Sequence, residues 1–291
     1  MTQLAQLLQS YADLKSLNEL RGSCRTALKG VYFYRDEGSS GRQPLLYQSG
    51  IIVVGQGSKE IHLGEQCVRY GAYDYLVIGV PLPLECEAFA DDDKPILGLS
   101  IDVPSNLLHR LVNLLLENQR ALPSSNPQLG LMSEPMNAPL QQAFERLATV
   151  LHDDLEAEIL GPAIVEEIIY RILMGKNGQI LFDLARHDGQ YARVAKTLSF
   201  LHREYASAIT VEELAEKASM SVSGFHRAFR QVTAESPLQY LKKVRLAKAR
   251  NLITEGRRVN DAALAVGYTS PSQFSREFKR HFNSTPKAMT S

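Results

Sequence analysis

Two stretches of the chain spell nearly the same thing. "SGFHRAFRQVTAESPLQYL" begins at residue 223 and "SQFSREFKRHFNSTPKAM" at residue 272. Each carries two phenylalanines four apart, Phe225 with Phe229 and Phe274 with Phe278, and a helix turns such a pair onto one face. Before each copy comes a shorter pattern of small and apolar residues: Leu214, Ala215 and Ala218 in the first, Ala262 and Ala263 in the second. Thr210 with Glu213 reads as a capping box, and Ser221 and Ser270 stand where N-caps belong. "SPSQ" at 270–273 adds an N1 proline and an N3 glutamine, and Gly267 falls in the second turn. A short helix, a turn and a second helix, written twice, commit the C-terminal third to an all-α domain of two helix-turn-helix units.

Between the copies lies "SPLQYLKKVRLAKARNLITEG", with Ser236, Pro237 and Gln239 at its start as cap, N1 proline and box partner. About 17 helical residues give a linker rod of roughly 26 Å. Successive major grooves on one face of DNA lie about 34 Å apart, so two recognition helices on such a rod suit one duplex. With the phenylalanines inward, Ser223, His226, Arg227 and Arg230 face outward in the first copy. In the second copy the outward set is Ser272, Gln273, Ser275, Arg276, Lys279 and Arg280. Short hydrogen-bonding groups and arginines are what base edges and phosphates require.

The charge distribution agrees. The chain is neutral overall, but from residue 193 onward it holds 17 Lys and Arg against 8 Asp and Glu, a net of +9, leaving −9 for residues 1–192. A basic third on an acidic remainder points to a polyanionic partner. It also raises two alternatives for the free protein. Acidic surface rests on the recognition helices, with "HDGQ" at 187–190 as a hinge, or the halves are independent.

Residues 195–289 resemble the DNA-binding domain of the AraC/XylS family of bacterial transcription regulators. The matching stretches are "ELAEKASMSVSGFHRAFRQV", "SPLQYLKKVRLAKARNLI" and "ALAVGYTSPSQFSREFKRHFNSTP". Upstream, "VVGQGSKEIHLGEQCVRYGAYDYLVIGVPLP" is similar to the N-terminal sensor domain of one subgroup, a cupin-like barrel followed by helices. The resemblance implies binding to double-stranded promoter DNA, contact with RNA polymerase and activation of transcription. Two features depart from the family pattern. Ala234 and Asn283 stand where glycine usually follows each recognition helix, and Ala262 stands where a larger apolar residue is usual.

The expected fold is α+β. A cupin-like β-barrel at about 25–105 and a helical part at about 106–189 form a sensor domain, residues 1–189; residues 190–291 form the DNA-binding domain. Strands are read from β-branched and aromatic residues between closely spaced glycines. Helices are read at about 107–115, 139–150, 162–174 and 190–204, and "ALPSSNPQLGLMSEP" reads as a linker. The 139–174 helices either pair two chains into a homodimer or pack on the barrel. The N-terminus lacks a signal-peptide pattern and the longest apolar run is too short to span a bilayer, which predicts a cytoplasmic protein without a membrane partner.

The barrel interior is expected to hold a small-molecule effector. Cys67, Arg69, Tyr70 and Tyr73 lie close in the chain as candidate ligand-wall or redox-sensing residues. His62, with Glu60 and Glu65 nearby, offers too few ligands for a metal site, so no metal and no cofactor are expected. No phosphate loop or nucleophile–base arrangement declares itself, which argues against an enzyme. Two rivals to the regulator stay open: a cupin enzyme tethered to DNA, and an architectural protein that bends DNA without reading it.

Overall fold

The computed structural model describes residues 2–64, 66–91, 94–120, 129–176, 178–186 and 189–289. A helix, α1 (Gln3–Leu14), opens the chain, its first turn capped by the Thr2 hydroxyl, which accepts from the Ala5 amide at 3.0 Å. Nine strands follow: β1 (Gly22–Arg25), β2 (Val31–Asp36), β3 (Ser40–Tyr47), β4 (Gly50–Gln56), β5 (Ser58–Leu63), β6 (Gln66–Gly71), β7 (Asp74–Ile78), β8 (Leu82–Phe89) and β9 (Ile96–Ile101). After α2 (Ser105–Glu117) a last strand, β10 (Leu131–Pro135), joins them.

The strands form two antiparallel sheets, ordered β1-β2-β9-β4-β7-β10 and β3-β8-β5-β6. Alternation decides which way each side chain points. In β2, Val31 and Phe33 are buried on one face, where Tyr11 of α1 meets the Phe33 ring at 5.2 Å. Tyr32 and Tyr34 point the other way, into the space between the sheets.

The sheet domain followed by helices matches the expected α+β class. Three details differ. The linker reading ran through residue 135, yet 131–135 pair with β7 from Leu131↔Ile78 to Pro135↔Asp74; residues 121–128 of that stretch lie outside the described residues. The helix expected to start at Pro162 is α4 (Asp154–Leu173), capped by Asp153. Pro162 is interior, and the carbonyl its ring releases belongs to the exposed Glu158, where water can satisfy it. The helices α1 and α5 (Gly178–Ala185) were not anticipated.

The remaining helices are α3 (Ala138–Val150), α6 (Gln190–Glu204), α7 (Val211–Lys217), α8 (Val222–Thr233), α9 (Pro237–Thr254), α10 (Val259–Ala265) and α11 (Pro271–Phe282). One apolar core runs from α1 through the barrel and α3–α6 into α7, α8 and the first half of α9. A second, separate core joins the rest of α9 to α10 and α11.

Candidate nucleic-acid interface and effector cavity

The helices α7 and α8 make the first helix-turn-helix unit, α10 and α11 the second. Their local chemistry repeats. The Thr210 hydroxyl accepts from the Glu213 amide at 3.2 Å, and Ser221 from the Gly224 amide at 3.2 Å. Ser270 accepts from the Gln273 amide at 3.3 Å. Each turn uses one left-handed residue, Ser219 at φ 52° and Gly267 at φ 89°. Glycine is required at 267 because a Cβ there would lie 2.3 Å from the Ala206 carbonyl oxygen. The phenylalanine pairs are near copies: the Phe225 and Phe229 rings stand 5.4 Å apart and tilted by 58°, the Phe274 and Phe278 rings 5.4 Å apart and tilted by 54°.

Both recognition helices end on a left-handed residue, Ala234 at φ 58° and Asn283 at φ 52°. The positions where the family favours glycine therefore keep the backbone glycine would adopt. The expected cap of α9 differs: Ser236 is at the N-cap, but its side chain makes no cap hydrogen bond, and Pro237 alone pre-sets the first turn.

With the phenylalanines buried, Ser223, Arg227 and Arg230 are exposed on α8, and His226 is partly so. On α11, Ser272, Gln273, Arg276, Lys279 and Arg280 are exposed and Ser275 is partly so. None of these arginines or lysines takes part in an ion pair among the described residues. The Gln273 amide donates to Glu277 at 3.3 Å. Lys243, by contrast, is held by Glu235 in a crevice against the barrel.

The acidic half does not cover these faces. It meets the DNA-binding part elsewhere. The Tyr240 hydroxyl donates to the Pro81 carbonyl at 2.5 Å, Arg250 to the Pro44 carbonyl at 3.0 Å, and the Gly130 amide to the Val232 carbonyl at 3.0 Å. Since Tyr240 gives its proton to Pro81, His202 donates from Nε2 to the Tyr240 oxygen at 2.7 Å. Burial, with Lys248 nearby, lowers His202 to about 4, and burial with Lys243 lowers His281 to about 4. Of the expected hinge, residues 187 and 188 lie outside the described residues.

Between the two sheets is a cavity of about 410 Å³. Leu45, Ile52 and Leu99 supply apolar wall; Tyr32, Tyr34 and Tyr47 supply rings and hydroxyls. Among the described residues that line it, Lys59 is the cation. Lys59 is 6% exposed, and its ammonium sits 3.5 Å from the centre of the Tyr34 ring. Lys59 forms no ion pair among the described residues, and burial lowers its pKa to about 8. A buried ammonium that stacks on a π face and forms no ion pair among the described residues is suited to an anion.

The residues read as an effector wall do not converge. Tyr70 is fully buried, with its hydroxyl close to Tyr47 and Cys86. Cys67 and Arg69 point out of the barrel, because residues 66–71 alternate and Tyr70 takes the inner face. Tyr73 is in the β6–β7 turn at φ 74° and is 46% exposed. Partial desolvation and the Glu60 carboxylate raise the Cys67 thiol, which disfavours the thiolate a redox sensor needs. Sequence reasoning missed Lys59, although the signal was there: in "SKEIHL" it alternates with Ile61 and Leu63.

The comparisons with known proteins fit this geometry. The AraC-type transcriptional regulator N-terminus family matches residues 27–180, more than half of the chain, and a helix-turn-helix domain family matches residues 214–291. The chain belongs to the AraC/XylS family of transcription regulators. It is similar to the virulence regulon transcriptional activator VirF of Yersinia enterocolitica, 25% identical over 62% of this chain and 66% of that one. It is also similar to the activator RhaS of Citrobacter koseri, 29% identical over 51% of this chain and 53% of that one. The chain's match thus spans about half to two thirds of these curated relatives. An apo variant of ToxT from Vibrio cholerae shares the fold, with a TM-score of 0.57 and 12% identity over 93% of this chain and 98% of that one. Unsaturated fatty acid-bound ToxT matches at a TM-score of 0.57 and 10% identity, over 89% of this chain and 94% of that one. Among the described residues no helix is long and apolar enough to cross a membrane.

Proposed function

We propose that the chain is a sequence-specific, DNA-binding activator of transcription whose barrel binds a small effector. The observation that carries this reading is the duplicated unit: two phenylalanine pairs of matching geometry, each holding an open basic face outward. Arg227 and Arg276 are the base readers, with Arg230, Lys279 and Arg280 on phosphates and Ser223, His226, Ser272, Gln273 and Ser275 completing the contacts. The sensor part ends before α6, and the DNA-binding part begins at Gln190. The protein acts in the cytoplasm on double-stranded promoter DNA and, in keeping with relatives named as activators, works through RNA polymerase. The barrel has a binding and not a catalytic role.

The effector class follows from the cavity. An apolar body with one anionic group places its charge on Lys59 and its chain against Leu45, Ile52 and Leu99. The unsaturated fatty acid-bound ToxT supports an amphiphilic carboxylate. Lys59→Met removes the counter-charge and keeps the stem, so it should weaken carboxylate binding at least tenfold by calorimetry, about 1.4 kcal/mol. A homodimer has a ready surface on α4, where Leu155 and Ile159, four residues apart, are each 65% exposed. Ile159→Glu is expected to shift the protein to monomer in sedimentation.

The test of the regulator reading is to map genome-wide binding of the full chain and measure a recovered site against random DNA. A regulator prefers its site by about 10³-fold or more. A ratio near one would favour an architectural DNA-bending protein, and turnover of a barrel-bound substrate would favour an enzyme tethered to DNA.

A further inference from the structure

The outer face of the β5–β6 hairpin brings together three metal-binding side chains that the sequence separates. The antiparallel register sets His62 opposite Cys67 and Glu60 opposite Arg69. Residues two apart on a strand share a face, and so do directly opposed residues. Lys59, Ile61 and Leu63 take the buried face, so Glu60 and His62 point outward together with Cys67. A ring nitrogen of His62, the Cys67 sulfur and a Glu60 carboxylate oxygen all lie within 4.8 Å of one another.

Three further observations concern the same spot. The His62 Nε2 atom is buried and has no hydrogen-bond partner among the described residues. The two oxygens of Glu60 are divided: Oε1 lies 3.7 Å from Arg69, and Oε2 lies 3.9 Å from the Cys67 sulfur. Glu87 stands beside Glu60 on β8 and forms no ion pair among the described residues, which adds negative charge. The expectation of too few ligands counted along the strand, whereas the third ligand comes from across the hairpin. Glu65 lies outside the described residues.

We propose that Glu60, His62 and Cys67 form a site for a divalent cation of the zinc class. One sulfur, one imidazole nitrogen and one carboxylate oxygen are the donors such a borderline ion takes, and three protein ligands leave a fourth position for water. On binding, the sulfur forms its metal bond and releases the thiol proton to solvent. The site is not the effector cavity, which opens on the other face of the strand. It adjoins the DNA-binding part: a Cβ built on Gly64, at the hairpin tip, would lie 3.5 Å from the Cβ of Ala234, the last-turn residue of the first recognition helix. Occupancy therefore ties the hairpin's order to that helix end.

Cobalt is the probe, because its bond to a thiolate gives a charge-transfer band that zinc then bleaches. Titrated into the reduced full chain, Co²⁺ is expected to produce this band with one equivalent. Cys67→Ser should abolish it and Cys24→Ser should leave it. Glu60→Gln should weaken cobalt binding at least about tenfold. His62→Gln should do the same; if that variant does not fold, the variants of exposed Cys67 and half-buried Glu60 decide the matter. Zinc should also slow amide exchange at Ala234 in the wild type and not in Cys67→Ser. Absence of a band at equimolar cobalt, or a band that survives Cys67→Ser, overturns the site. Unchanged exchange at Ala234 in zinc-loaded protein overturns the link to the DNA-binding part.

Discussion

The two helix-turn-helix units share a sequence pattern, matching ring geometry and the same left-handed caps, but they are anchored differently. Leu214, Phe225 and Phe229 of the first unit, with Tyr240 at the start of the linker helix, belong to the core that fills the barrel. Phe274, Phe278, Ala262 and Ala263 of the second belong to a small core of their own, closed by Leu246, Ala249 and Ile253 of the linker helix. The second unit and the end of α9 that carries it meet the barrel at its margin, through Arg250 on the Pro44 carbonyl and His281 in the crevice. The difference teaches that a duplicated reading head need not respond to its sensor symmetrically. The first unit shares the barrel's core, whereas the second is joined to the barrel by α9 and by contacts at its margin.

The strongest way to break this comparison is to empty the two cores separately. Phe229→Ala and Phe278→Ala each remove a fully buried ring, at a cost of about 3–5 kcal/mol. Phe229→Ala should lower the main thermal transition of the whole chain. Phe278→Ala should melt the second unit alone, leaving the barrel transition in place by calorimetry and hydrogen exchange. Equal loss of the main transition in both variants contradicts separate cores.

Acid probes the same contrast with a smaller effect. His202 and His281 are both lowered to about 4 in the folded chain, against about 6.5 unfolded. The neutral form is the folded one, so their contribution is complete above pH 6.5 and is lost as pH falls from 6.5 towards 4. Each adds a slope of up to about 1.4 kcal/mol per pH unit in that window. His202→Gln should flatten the acid dependence of the main transition, because His202 holds Tyr240 on the barrel. His281→Gln should flatten that of the second unit. The smallest effect belongs to the caps. Ala234→Gly relieves a left-handed alanine and should stabilise the first unit by about 1 kcal/mol, while Asn283→Gly should change the second by less, since asparagine tolerates that conformation.

Much of the DNA-binding third was legible because its determinants are local. Cap serines, an N1 proline and phenylalanines four apart act within one or two turns, and each falls where the sequence placed it. The barrel was legible as strands but not as partners. Residues 131–135 look like linker until β7 supplies their hydrogen bonds, and Cys67 looks solitary until register puts it opposite His62. Pro162 misled because proline marks a helix start only when nothing upstream caps one, and Asp153 does. Lys59 was readable from alternation alone but was passed over because a charged residue is rarely assigned to an interior face.

The measurement that bears most directly on the account is a guanine interference footprint of the full chain on its own promoter site, compared with Arg227→Ala and Arg276→Ala. Two major-groove patches are predicted on one face of the duplex, centred about 10 base pairs apart. Arg227→Ala should erase discrimination in one patch and Arg276→Ala in the other, each by about 1–3 kcal/mol at a single base position. A single patch, or a loss of affinity equal on all sequences in both variants, would contradict two reading heads on one rod.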